Sequence, residues 1–184
     1  PTIENMKKAV KEIFGNEKLV AERYVSSKDE DMVNDTIGRI DYESNKIIGE
    51  AKTKPPTIKK KRNKDEHYMA TTQLPLSPDP MHISQVSFYY HCTKRKPFLF
   101  YVNENEYTIF DDTHDMLKPD YLKEQYNLMV QRLKSWEQLI IFCKGDIQKL
   151  SAFAEPPELN HPFYYRDLID DQKKQIKQLW GLDA

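Results

Sequence analysis

Apolar positions in the first fourteen residues recur at a helical interval. Ile3, Met6, Val10, Ile13 and Phe14 form one stripe over residues 2 to 14, and Gly15 supplies the stop. The period then shortens to two. Residues 18 to 25 (KLVAERYV), 35 to 42 (DTIGRIDY) and 46 to 53 (KIIGEAKT) are rich in β-branched and aromatic residues, and each predicts a strand. Residues 54 to 78 carry no period at all. They run from basic through polar to proline-rich, and predict a long loop or mobile segment of the kind that is either functional or disordered. Helical spacing returns after Asp79 (N-cap) and Pro80 (first turn), with Ile83, Val86 and Tyr90 as the stripe and Pro97 as the close. Residues 98 to 102 and 107 to 110 predict a hairpin. From Pro119 a long helix reaches about Phe142 on the stripe Leu122, Tyr126, Met129, Leu133, Trp136 and Ile140. Residues 165 to 180 predict a last helix. The order predicts an α/β chain (mixed α+β), a central mixed sheet flanked by helices, in a single domain.

Charge changes this picture in one place. The formal net charge of −1 favours no partner globally. Lys52, Lys54, Lys59, Lys60, Lys61, Arg62 and Lys64 nevertheless follow one another with no acid between them, which is a local polyanion signal. Cys92 and Cys143 are far apart and lie in apolar or aromatic surroundings. They fit no zinc spacing, are too few for an iron–sulfur cluster, and point to a reduced, intracellular (cytoplasmic) protein. No run of about 20 apolar residues predicts a membrane span, and no signal peptide is visible.

The chemistry is concentrated in the hairpin of residues 35 to 53. Side chains alternate along a strand, so Glu50 and Lys52 share a face. An even turn at Ser44-Asn45 sets Asp41 opposite Ile48, hence diagonal to Glu50 and on that same face. An odd turn would break the group. Two crowded carboxylates suit a hard divalent cation, Mg²⁺ or Mn²⁺. Such an ion polarises a phosphate and acidifies water, and a Lys beside it can orient that water or stabilise developing charge. The competing reading is a solvated hairpin face with a cross-strand ion pair. The apolar Ile47-Ile48-Gly49 entry to Glu50 favours a central strand, where a charged face needs a reason.

The segment IDY…IIGEAK resembles the signature of the PD-(D/E)xK nuclease superfamily, with Asp41, Glu50 and Lys52 in its three places and Ile40 where the motif has Pro. Gln85 to Tyr89 (QVSFY) matches the QxxxY helix motif of the RecB-like and lambda-exonuclease-like branch, about 30 residues downstream, and the spacing of four puts both side chains on one helix face. The helix YLKEQYNLMVQRLKSWEQL resembles that of the mitochondrial genome maintenance exonuclease and its phage relatives. The motif-bearing similarity covers about residues 20 to 110. It implies a restriction-endonuclease-like core and a DNA exonuclease that prefers single-stranded or free ends, in replication, recombination or repair. Asp41, Glu50 and the Ala51 carbonyl would hold the metal, Lys52 would activate water, and Gln85 and Tyr89 would hold the strand and order Lys52. A structure-selective or sequence-specific endonuclease on the same fold, and a non-catalytic nucleic-acid-binding module, stay open beside it. The upstream His of many RecB-like members is missing, since all five His follow Asp41; Glu22 is the candidate replacement.

The basic segment, through Lys54, Lys59, Lys60, Lys61 and Arg62, is the candidate DNA guide, arching over the strand from both ends of the site. Tyr68, Phe88 and Tyr89 are candidate base-stacking rings, with Phe88 also a core candidate. His82 and His91 read as helix-surface residues.

Overall fold

The computed structural model describes residues 1–60, 67–155 and 168–182. Its contacts divide the chain into two compact units, Pro1–Gln131 and Arg132–Ala184.

In the first unit, α1 (Thr2–Phe14) ends at Gly15, whose φ of 57° is a left-handed conformation that suits glycine. The strands β1 (Val20–Ser27), β2 (Thr36–Glu43) and β3 (Ile47–Thr53) follow. Next come β4 (Thr57–Lys60), β5 (His67–Ala70), α2 (Pro80–Thr93), β6 (Lys96–Val102) and β7 (Tyr107–Phe110). The five-stranded sheet has the order β1-β2-β3-β6-β7. Among the described strands β3 and β6 alone pair in parallel, so the chain must cross over between them, and α2 lies in that crossover. The mixed sheet flanked by helices is the predicted architecture.

Alternation along β6 builds two cores. Leu99 and Tyr101 pack with Ile83 and Val86 of α2, and with Leu117 and Leu122. Phe100 and Val102 point the other way, onto Ala9, Ile13 and Phe14 of α1. A sheet covered on both faces by helices gives β3 its continuous apolar entry. At its N-terminus α2 starts as its sequence demands: Asp79 accepts a hydrogen bond from the Met81 N–H at 3.0 Å, and Pro80 needs no donor. It ends earlier than predicted, at a left-handed Lys94, and Pro97 lies inside β6.

Residues 54 to 78 are not the aperiodic loop the sequence suggests. β4 and β5 zip into a two-stranded antiparallel ribbon, from Thr57 opposite Ala70 to Lys60 opposite His67. Four residues per strand are too few to declare a period against flanking Lys, Pro and Thr. The two legs are hydrogen-bonded to each other over Thr57–Lys60 and His67–Ala70, so nothing passes between them there.

α3 (Pro119–Phe142) has the predicted length. Its buried positions are Leu122, Tyr126 and Val130, whereas Trp136 and Ile140 are half exposed. The regular stripe therefore overstates the buried length. In the second unit α3 is followed by α4 (Ile147–Phe153), capped by Asp146, and α5 (Asp170–Leu179). Among the described residues no helix is long and apolar enough to cross a membrane.

Candidate active site

The β2–β3 turn decides the geometry. Ser44 N–H donates to the Ile47 carbonyl at 2.9 Å, and the Ser44 hydroxyl accepts from Lys46 N–H and Ile47 N–H at 3.3 and 3.2 Å. The two loop residues are thus Asn45-Lys46, one position later than the predicted Ser44-Asn45. The turn is even, as expected, but the register moves: Tyr42 faces Gly49 and Glu43 faces Ile48. Continued by one residue, this register sets Asp41 directly opposite Glu50 and not diagonal to it. Beyond Tyr42 the ladder gives way. Asp41 Oδ2 itself accepts the Ala51 N–H at 2.9 Å, a side chain doing the work of a ladder carbonyl.

Glu50 is the buried member, with a side chain 3 % exposed. Its Oε1 accepts from Lys52 Nζ at 2.5 Å, and its Oε2 is buried with no hydrogen-bond partner. Burial, then the negative charge of Asp41, push the Glu50 carboxyl up to about 7 although Lys52 pulls the other way. One ammonium does not hold this carboxyl at its ordinary value. Lys52 Nζ also donates to Gln85 Oε1 at 2.8 Å; Gln85 Nε2 donates to Tyr89 OH at 2.7 Å; and Tyr89 OH donates to the Arg39 carbonyl at 2.6 Å. This chain runs from β3 through α2 to β2, and so closes around the pair. α2 approaches β2 closely because residue 38 is glycine; a Cβ there would lie 2.7 Å from the rings of Phe88 and Tyr89. The group opens into a cleft of about 570 Å³ lined by Asp41, Glu50, Lys52, Gln85, Tyr89 and Arg39, among others.

Asp41, Glu50, Ala51, Lys52, Gln85 and Tyr89 are therefore brought together. Glu22 does not line the cleft itself: it sits on β1 at a left-handed φ of 55°, is exposed, and pairs with the cleft residue Arg39 at 3.6 Å. Among the described residues no three His, Cys, Asp or Glu converge as a metal cluster. Lys54 is at the end of β3, its Nζ 5.6 Å from the Tyr101 ring centroid. Lys59 and Lys60 are on β4, and Lys61 and Arg62 lie outside the described residues. Phe88 and Tyr89 are 4 % and 3 % exposed, so neither ring offers a face to a base; Tyr68 is half exposed. His82 and His91 serve packing and not a free surface: His82 Nδ1 lies 2.9 Å from Tyr101 OH, and His91 stacks on Tyr126 with centroids 3.6 Å apart. Arg39 was missed, although the alternation that groups Glu50 with Lys52 also groups it with Asp41.

The Glu50 environment has a consequence for stability. Its folded pKa is raised above the ordinary value of 4.5. It therefore contributes stability that is full below that value and lost as pH climbs through about 7. The span corresponds to roughly 3 kcal/mol. Without metal, Glu50→Gln is expected to unfold at a higher urea concentration than wild type at pH 8, and the two midpoints are expected to converge near pH 4.5. Coincident midpoints at both pH values would refute the buried repulsion.

No family model matches this chain, and no curated protein matches it. A search of solved structures gives a chain described as "Crystal structure of SSO0001", at TM-score 0.36 and 16 % identity over 58 % of this chain and 45 % of that one.

Proposed function

We propose that this chain is a divalent-metal-dependent deoxyribonuclease that removes nucleotides from the ends of DNA, with single strands preferred. One observation carries the reading. Two sequence patterns 33 residues apart, the Asp–Glu–Lys hairpin and the Gln–Tyr helix, meet in one hydrogen-bonded chain at one cleft through the Lys52–Gln85 contact. A solvated surface hairpin has no need to bury Glu50 or to tether its Lys to another element.

The residues fit a hard cation. All the donors are oxygens, Asp41 and Glu50 crowd each other, and Glu50 Oε2 is buried and unpartnered. Asp41, Glu50 and the Ala51 carbonyl would hold Mg²⁺ or Mn²⁺. Bound there, the ion supplies Lewis-acid polarisation of a phosphate oxygen and acidifies water. Lys52 has three N–H donors, of which Glu50 and Gln85 take two, leaving one for the attacking water or the phosphate oxygen that gains charge. Gln85 fixes the direction of that donor and Tyr89 fixes Gln85. Lys54, Lys59, Lys60, Lys61 and Arg62 draw in the phosphate backbone.

An end-labelled linear single strand is expected to be digested with Mn²⁺, to survive in chelator, and to be cut far faster than a single-stranded circle. Rapid circle cutting would favour an endonuclease, and metal-independent binding without cleavage a non-catalytic module. Replacing Lys59, Lys60, Lys61 and Arg62 with Ser is expected to weaken binding and to flatten the slope of log affinity against log salt by up to about 3, with the rate at saturating substrate nearly unchanged. An unchanged slope would remove the segment from the binding site.

A further inference from the structure

We infer that the β4–β5 ribbon is a wedge that opens the end of a DNA duplex and delivers one strand to the Asp41–Glu50 cleft; the inference rests on the nuclease reading above. The ribbon is its own two-stranded sheet, separate from the main one. All of Thr57–Lys60 and His67–Met69 is exposed. Ile58 and Met69 face each other across the ribbon and are 70 % and 61 % exposed. A two-stranded hairpin is marginal in water by itself, and a pair this exposed gives it little folding stability by being apolar.

The root, by contrast, is firmly built. Thr72 Oγ1 donates to the Pro55 carbonyl at 2.6 Å, tying one leg to the other. Asn103, fully buried in the β6–β7 turn, donates through Nδ2 to the Thr72 carbonyl at 3.0 Å and accepts at Oδ1 from the Asn105 and Glu106 N–H groups. Lys54 N–H extends the sheet by donating to the Val102 carbonyl at 2.8 Å. A blade with a fixed root and an exposed apolar pair on its legs is suited to push against something rather than to close over it.

Its composition selects what it pushes against. Alternation places Ile58, Met69, Lys60 and His67 on one face, and Lys59 and Tyr68 on the other. Each face joins an apolar or aromatic surface to a cation, and neither strand carries an acid. Apolar side chains that insert between base steps unstack them, aromatic rings stack on freed bases, and cations hold the phosphates. A protein-docking face needs the apolar pair but not a cation on both sides. Position agrees as well: only five residues separate Lys52 from Ile58, at most about 20 Å of chain, so a strand parted at the blade has a short path to the cleft.

The full chain with Ile58→Ser and Met69→Ser together is the test, with 2-aminopurine placed near the end of a blunt duplex. In chelator, wild type is expected to raise the 2-aminopurine fluorescence on binding, and the double variant to leave it nearly unchanged. With Mn²⁺, duplex digestion is expected to fall about tenfold or more in the variant, while single-strand digestion stays within about twofold. Equal fluorescence and equal duplex rates would overturn the wedge. So would a change of sedimentation coefficient in the variant, which would make the face a contact between copies. If wild type cuts no single strand at all, the nuclease reading fails on its own, and the fluorescence in chelator still decides whether the ribbon opens a duplex.

Discussion

Asp41→Asn and Glu50→Gln each lower DNA cleavage by about 10³-fold or more, in a protein that still folds. The expectation follows from the two carboxylates standing face to face. Neither alone presents the paired oxygens that a small hard cation requires, and each variant is isosteric with the residue it replaces. Asn at 41 can still accept the Ala51 N–H that Asp41 now takes at 2.9 Å, so β2 and β3 stay joined. Gln at 50 removes a charge that burial and Asp41 already resist. Lys52→Ala gives a different signature. It costs cleavage about 10²- to 10³-fold, as loss of one donor to developing charge does, yet keeps the metal site. Thermal unfolding with Mn²⁺ separates the cases: saturation at a hundredfold excess over the dissociation constant adds about 2.7 kcal/mol to wild type and to Lys52→Ala, and little to the carboxylate variants. Cleavage near the wild-type rate in either carboxylate variant would remove the pair from the active centre.

The parts of this site that could be read from the sequence are those governed by a period. Alternation puts Glu50 and Lys52 on one face, and a spacing of four puts Gln85 and Tyr89 on one turn of α2. What the sequence could not yield was the partner across each gap. The turn slips by one residue because the Ser44 hydroxyl can take two backbone N–H groups at once, which closes the loop over Asn45-Lys46. That one-residue slip moves Asp41 from level with Ile48 to level with Glu50, and its charge helps push the Glu50 carboxyl up. Tyr89 was legible as a member of the site but not in its role. Only the close approach of β2 to α2, permitted at Gly38, buries the ring and brings its hydroxyl to the Arg39 carbonyl.

The ribbon shows the opposite failure. Lys59 and Lys60 dominate its composition, and a basic stretch between prolines suggests a solvated tether. Its strands are defined instead by pairing with each other and by a root held from outside, through Asn103 and Thr72, and no local period reports either. α3 errs in the same direction as a simple stripe does: Met129 fits the heptad-like spacing, but the buried residue is Val130, and Met129 lines the cleft.

Gln85→Ala is the second large effect. It is expected to lower the cleavage rate about 10- to 100-fold while leaving Mn²⁺-induced stabilisation intact. Gln85 is a positioning residue: its Oε1 holds the Lys52 ammonium at 2.8 Å, and without it that group is left to Glu50 alone. The ammonium then turns toward the carboxylate, and the donor meant for water or phosphate is lost. Tyr89→Phe tests the next link. Phe keeps the ring packing but leaves the Arg39 carbonyl and the Gln85 amide without their shared hydroxyl, at a cost of about 1 to 3 kcal/mol in stability for a buried unsatisfied group. Gln85 keeps its carbonyl for Lys52, so the loss of rate is smaller than for Gln85→Ala and appears mainly as a lower urea midpoint. Glutamate at 85 is the rescue. Its oxygens accept from Lys52 as the amide does, so Gln85→Glu should recover more activity than Gln85→Ala despite the added negative charge beside the cleft. A Gln85→Ala protein as active as wild type, or a Gln85→Glu protein no better than the alanine variant, would break the link between α2 and the chemistry on β3.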